Sequence, residues 1–222
     1  MQQFPIAQRT AGVNMRLDAG GIRELHWRKE SEWAFMLYGA ARITAVDQEG
    51  RHFAADVKEG DLWFFPAGIP HSIQGLGPDG CKFLLAFDDG AFSEDSTFLI
   101  TDWFAHTPKG VLAQNFGWPA EAFERSPSEE LYIFNGRKPG SLWDDLRSSS
   151  QPTVPEPFNF ALMEVPPMRT RGGWVRIADC RNFTASRTMS VALVELEPGG
   201  LRELHWHPQA DEWQYYISGR AR

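Results

Sequence analysis

The feature that most restricts this chain is an internal repeat. G-G-I-R-E-L-H-W, from Gly20 to Trp27, returns 179 positions later as G-G-L-R-E-L-H-W, from Gly199 to Trp206. A motif repeated at that separation implies a duplicated domain. In the first copy the run carries His26 and then Glu32; in the second it carries His205, His207 and Glu212. Read as strands, side chains alternate between faces, so His26 and position 28 point the same way while Trp27 points the other. Further on, G-D-L-W-F-F-P-A-G-I-P-H (Gly60 to His71) is a short apolar strand and a Pro-x-Gly turn that delivers His71. Imidazole and carboxylate groups from several strands thereby meet at one point, as ligands of a divalent metal do inside a small barrel. Four of the six histidines fall on these positions, which weighs against reading them as core histidines satisfied by hydrogen bonds. One position breaks the pattern: Arg28 stands where a second imidazole belongs.

The rest of the chain reads as a frame for such sites. Short strands are expected over 12–17, 34–38, 41–46, 51–57, 62–65 and 82–87, punctuated by Gly, Pro and Asp turns, which argues for an all-β barrel or sandwich. Beyond Asp89-Gly90 the spacing turns helical over 97–106 and 109–116, with one more turn over 119–125. Prolines and three consecutive serines give 137–158 the composition of a linker, and strand signals resume at Phe160, 174–177 and 189–196. The domain expectation is a first barrel with its lid and helices over 1–142, a linker over 143–158, and the N-terminal part of a second barrel over 159–222.

A formal charge of −7 disfavours nucleic acid and anionic membranes as partners, since both select a basic face. The N-terminus, M-Q-Q-F-P-I-A-Q, lacks the cationic-then-apolar pattern of a signal peptide, which favours a cytoplasmic location. Cys81 and Cys180 fit no metal or redox motif and are expected to be two buried thiols. Nine Trp and sixteen Phe are expected to fill barrel interiors or cover subunit contacts, with Trp27 and Trp206 pointing out of their barrels. His52 and His106 match no motif and read as structural.

These motifs carry a resemblance. The first cupin motif is met at Gly20, His26, Glu32 and Gly39 and missed at Arg28; the second is met in full at Gly60, Pro66, Gly68 and His71. Together with R-E-L-H-W, F-D-D-G-A-F-S-E-D-S-T-F and H-W-H-P-Q-A-D-E-W-Q-Y-Y-I-S-G, the chain resembles the bicupin oxalate decarboxylases over nearly its whole length. The resemblance implies a double-stranded β-helix (cupin or jelly-roll barrel), here a bicupin with the second barrel truncated and a few helices between. The second copy fulfils the first motif at His205, His207, Glu212 and Gly219 with one extra spacer residue. The counterpart of Gly60–His71 does not follow, so a fourth ligand for the second site is missing and the chain is expected to be a fragment.

The resemblance further implies manganese as cofactor, dioxygen as cocatalyst, oxalate as substrate, and homo-oligomers (trimers or hexamers) for the full-length parent. Spacing alone leaves iron, nickel or zinc open. The first site would be His26, Glu32 and His71, the second His205, His207 and Glu212. Arg23 would bind oxalate through charge-assisted hydrogen bonds, although strand alternation puts it opposite His26; Arg202 is its counterpart in the second copy. Glu94, in S-E-D-S, resembles the lid glutamate that shuttles a proton to the one-carbon radical left after CO2 departs. Asp95 departs from the family's Asn and sets a second carboxylate beside Glu94, which would repel oxalate. Arg28 cannot deprotonate to become a ligand. Pointing inward, it would stand about 4 Å from a doubly charged ion at a cost of roughly 8 kcal/mol with an effective dielectric near 20. The expectation is that it swings aside or binds Glu32, leaving the first site weak or empty. Two alternatives stay open: an oxalate oxidase yielding peroxide, and a non-catalytic, metal-poor cupin with a binding or structural role.

Overall fold

A computed structural model of the chain describes residues 6–222. Its first half is a curled antiparallel sheet. The N-terminal strands are β1 (Ala11–Leu17), β2 (Gly21–Trp27), β3 (Glu32–Val46), β4 (His52–Lys58), β5 (Leu62–Phe65), β6 (His71–Gly75) and β7 (Cys81–Phe87). The central strand is β3. Its first part pairs with β5 and β7 and its second part with β4 and β6, so one strand turns the corner between the two layers of the barrel. Sequence reading gives two strands, 34–38 and 41–46, because Gly39 lies between them; the chain instead runs through with a bulge near Tyr38. Gly39 sits at φ +74°, and a Cβ there would stand 2.0 Å from the carbonyl oxygen of Gly80, so only glycine permits that approach.

The barrel core is built from Leu17, Met36, Ile43, Leu62, Trp63, Phe64, Phe65, Ile73, Phe83, Leu85 and Phe87, all fully buried. Every residue of β5 is buried. One face meets the barrel interior, while the far edge is covered by β10 (Asn159–Phe160), which pairs with β5 after β8 (Phe98–Leu99) and β9 (Ile133–Asn135) have each paired with β2. Between β8 and β9 lie α1 (Ile100–His106), α2 (Lys109–Phe116) and a 3-10 turn (Ala120–Phe123), packed on one another through Phe104, Phe116, Trp118 and Phe123. A third helix, α3 (Leu142–Ser148), falls in a stretch whose composition reads as linker; Ser141 caps its N-terminus, accepting from the Trp143 N–H.

The second sheet has three strands: β11 (Met168–Thr170), β12 (Gly173–Ala178) and β13 (Val191–Leu196), antiparallel in that order. Phe160 stacks on Phe183 and ties this sheet to the first barrel. Residues 201–222 form no regular element, and nearly all of them are exposed. They lie along β1 through the Arg9–Asp211 ion pair, an Asn14–Tyr215 hydrogen bond and Trp213 stacked over Gly12. The two cysteines differ: Cys81 is buried, with burial pushing its thiol up to about 12, whereas Cys180 is exposed at a turn beyond β12, contrary to the expectation of two buried thiols. Trp206 is exposed; Trp27 is half-buried against Phe98, 5.5 Å between ring centroids. No helix among the described residues is long and apolar enough to cross a membrane.

Candidate metal and carboxylate centre

Three strands converge on the first cluster. His26 comes from β2, Glu32 from the start of β3 and His71 from the start of β6, and a ligand atom from each lies within 4.8 Å of the others. Both imidazoles are oriented by backbone. His26 Nδ1 donates to the Glu24 carbonyl (2.5 Å) and His71 Nδ1 to the Ile69 carbonyl (2.8 Å), which turns each Nε2 inward. Burial, then the charges of His71 and Arg28, press the His26 pKa well below the usual imidazole value. Burial pushes Glu32 up, but His71, Arg28 and Arg23 outweigh it and hold the carboxyl at about 2.

Arg28 is neither swung aside nor solvated. It is 2% exposed, and its Nη1 lies 2.7 Å from His26 Nε2 and 2.5 Å from Glu32 Oε2. Of the two expected escapes, binding Glu32 is the one taken. The side chain does point inward, because with a guanidinium at the centre the inward charge is attracted to Glu32 rather than repelled by an ion. Its Nε donates to the Thr97 hydroxyl, and the aromatic pair Phe87 and Phe92 packs on its plane at 5.1 and 5.5 Å to the ring centroids.

Arg23 reaches the same place by a backbone device that strand alternation hides. Between Arg23, opposite Ile73, and His26, opposite His71, β2 carries one residue more than β6. That bulge reverses the parity: Arg23 and His26 are both buried, and the apolar Leu25 is turned out to solvent. Arg23 Nη1 donates to the Tyr132 carbonyl (3.1 Å), its guanidinium lies 4.1 Å over the Tyr132 ring, and its Nη2 meets Glu94 Oε2 at 3.0 Å. Glu94 belongs to a 3-10 turn, Glu94–Ser96, that Ser93 caps. Its carboxylate also accepts from Arg28 Nη2, at 3.1 Å on Oε2 and 3.3 Å on Oε1. Asp95 is exposed, so the carboxylate next to Glu94 in sequence stays at the surface.

One residue of this centre has no role in the sequence reading. Glu24 is buried, and its carboxylate accepts four hydrogen bonds: the Thr101 N–H and hydroxyl on Oε1, and the Leu131 and Tyr132 N–H groups on Oε2. It thus fastens both the first turn of α1 and the Tyr132 segment that carries Arg23. Its reappearance as Glu203 in the repeat is the signal that could have marked it.

The second cluster repeats the donors in a different setting. His205 Nδ1 donates to the Glu203 carbonyl (2.8 Å), as His26 does to Glu24. Glu212 Oε2 lies 3.4 Å from His205 Nε2 and 2.6 Å from His207 Nε2. A hydrogen bond from Gln214 and, against partial burial, His207 and Arg202 hold Glu212 at about 2. All three donors are exposed. Two imidazoles and a carboxylate suit a first-row divalent ion. Arg202 binds Oε1, so Oε2 is left facing both rings and this cluster fits one. The first cluster does not fit an ion while Arg28 fills its centre, although Glu32 Oε1 is buried without a partner among the described residues.

A curled antiparallel sheet with histidine and glutamate donors turned into its interior is the architecture of a cupin. The family model described as Cupin matches residues 1–123 and 161–222, and the chain belongs to that family. Among its relatives, oxalate decarboxylase OxdC of Bacillus subtilis (strain 168) is 57% identical over 222 residues, all of this chain and 57% of that protein. A probable oxalate decarboxylase of Arthroderma benhamiae is 38% identical over 225 residues, covering 55% of its length. The chain therefore spans little more than half the length of these curated relatives. A solved structure of a serine-to-alanine mutant of the Bacillus subtilis OxdC superposes with a TM-score of 0.90 at 56% identity, over 93% of this chain and 55% of that one. Another structure, of the Bacillus subtilis oxalate decarboxylase with Mn(II) centres, gives 0.86 at 55% identity, over 89% and 52%.

Proposed function

We propose that this chain is part of a bicupin that cleaves oxalate to formate and CO2. The observation that carries this reading is the meeting of Arg23 and Glu94, 71 positions apart in sequence, above the His26–Glu32–His71 cluster. A buried cation suited to hold a carboxylate and a carboxyl suited to move a proton stand at one point, as such a reaction requires. In the net reaction the oxalate C–C bond breaks, one carboxyl leaves as CO2, and its electron pair stays on the other carbon, which takes up a proton to become formate. Arg23 would hold the substrate carboxylate and Glu94 would deliver that proton. The Phe87–Phe92 stack and the Tyr132 ring would keep the two arginines in place and water away.

Manganese, with dioxygen as cocatalyst, completes the proposal. His205, His207 and Glu212 would hold one ion, and His26, Glu32 and His71 another once position 28 no longer competes. The ion supplies Lewis acidity for the charge that develops on oxalate. Oxalate given to the chain with manganese and dioxygen is expected to yield little formate with Arg28 in place and more after Arg28→His, with peroxide a minor product. Glu94→Gln in that background should reduce formate at least 100-fold, the lower end of what a positioned acid contributes. Peroxide as main product would favour the oxidase; no formate from Arg28→His would overturn the assignment. The filled centre of the first cluster supports the second reading, a non-catalytic binding protein, and the same assay separates the two.

A further inference from the structure

The charge balance of the first-barrel site depends on its most exposed member. Arg23 and Arg28 are cationic and Glu32 and Glu94 anionic, while both imidazoles are turned inward among buried side chains. Glu32 serves Arg28. Among the described residues Glu94 is the only carboxylate bonded to Arg23, and the Arg23 Nε is buried with no acceptor. Glu94 is also the most exposed of the four, with a quarter of its side chain open to water, and it stands on a turn of three residues. Were that turn to lift, two adjacent buried guanidinium groups would keep a single carboxylate between them. An uncompensated buried charge is strongly unfavourable, so the opening is stable only if another anion enters.

The shape of what would enter is set by what is there. Glu94 Oε2 is shared between Arg23 Nη2 and Arg28 Nη2 at 3.0 and 3.1 Å, Oε1 takes a second contact from Arg28 at 3.3 Å, and the Thr97 hydroxyl donates to Oε2 at 3.4 Å. That is a planar carboxylate held by a two-arginine fork. Both guanidiniums are immobilised beforehand, Arg28 by Glu32 and the Phe87–Phe92 stack, Arg23 by the Tyr132 ring and carbonyl. A preorganised clamp loses little on binding. We propose that Arg23 and Arg28 form a metal-independent binding site for a small carboxylate, with Glu94 as its tethered resident. Position 28 thereby changes the first barrel from a site that would hold an anion through an ion into one that holds it directly through guanidinium. The proposal rests on the placement of Arg28 and needs no turnover.

The test is calorimetric titration of the chelator-treated chain with formate and with oxalate at constant ionic strength, with chloride as the control anion. Saturable one-to-one heat is expected from a carboxylate and not from chloride. Glu94→Gln, which removes the competing resident, should bind at least tenfold tighter. Arg28→His should lose at least tenfold, and Arg28→Lys, which keeps the charge without the fork, should also weaken binding, with melting curves showing that each variant is folded. The proposal is overturned if neither the parent chain nor Glu94→Gln binds without metal, if binding returns only when manganese is added, or if Glu94→Gln binds more weakly. Absence of oxalate turnover would leave this result intact, and absence of metal-free binding would leave the turnover test intact.

Discussion

The two repeats of R-E-L-H-W build the same local geometry with opposite surroundings. In each, the histidine Nδ1 donates to the carbonyl two residues back, and in each a glutamate held at about 2 faces the imidazoles. In the first copy the group is enclosed by strands β2, β3 and β6; in the second it is exposed on residues without regular structure. Ligand presentation is therefore written in a few adjacent residues, whereas the energetic weight of each group is set by what encloses it. The copies also differ at the second imidazole position of the motif, Arg28 against His207. A buried cluster holds an arginine there and an exposed one an imidazole.

The largest expected difference lies at that position. Arg28→Ala leaves Glu32 buried without its closest cation and should cost about 3–5 kcal/mol in urea unfolding, the range for breaking a buried pair. His207→Ala removes an exposed partner of Glu212 and should cost less than about 1 kcal/mol. Equal costs would show that burial does not separate the copies. Next is the adjacent carboxylate. Glu24→Gln loses acceptors for buried N–H groups of the Tyr132 segment or of α1, and a drop of about 2–3 kcal/mol is expected from charged hydrogen bonds. Glu203→Gln, at an exposed position, should stay within about 0.5 kcal/mol.

Acid sensitivity gives a smaller and graded contrast, measured with chelator present. The folded His26 pKa lies well below 6.5, so below that value the unfolded chain binds a proton that the folded chain refuses, and stability falls as pH drops. Glu32, near 2 when folded against 4.5 unperturbed, contributes stability above 4.5 that is lost as pH falls toward 2. Melting temperature should therefore decline in two stages, the first starting near 6.5 and the second near 4.5. Glu212, also near 2, adds to the second stage, so Glu32→Gln should weaken it, and an undiminished second stage in that variant would remove Glu32 as a source.

Much of the frame was legible because glycines and prolines punctuate it: β1, β5 and α2 fall within a residue of where spacing puts them. Convergence of His26, Glu32 and His71 was legible through the motifs, since side chains at strand starts beside fixed turns have little choice of direction. Arg23 was legible only by resemblance. A one-residue bulge in β2 inverts alternation, and nothing in local composition announces it. Tyr132 lies more than a hundred positions from Arg23, so no periodicity connects them. The helix Leu142–Ser148 was obscured because proline and serine around it dominate the composition. Cys180 departs from the general tendency of thiols to be buried because the turn after β12 carries it outward.

Arg28 occupies the centre that an ion would need in the first barrel, between His26 and Glu32. Equilibrating the chain and its Arg28→His variant with manganese, removing excess, and counting bound metal per chain tests it directly. One additional equivalent is expected in Arg28→His, lost again on Glu32→Gln. Equal metal content in the two chains would contradict it.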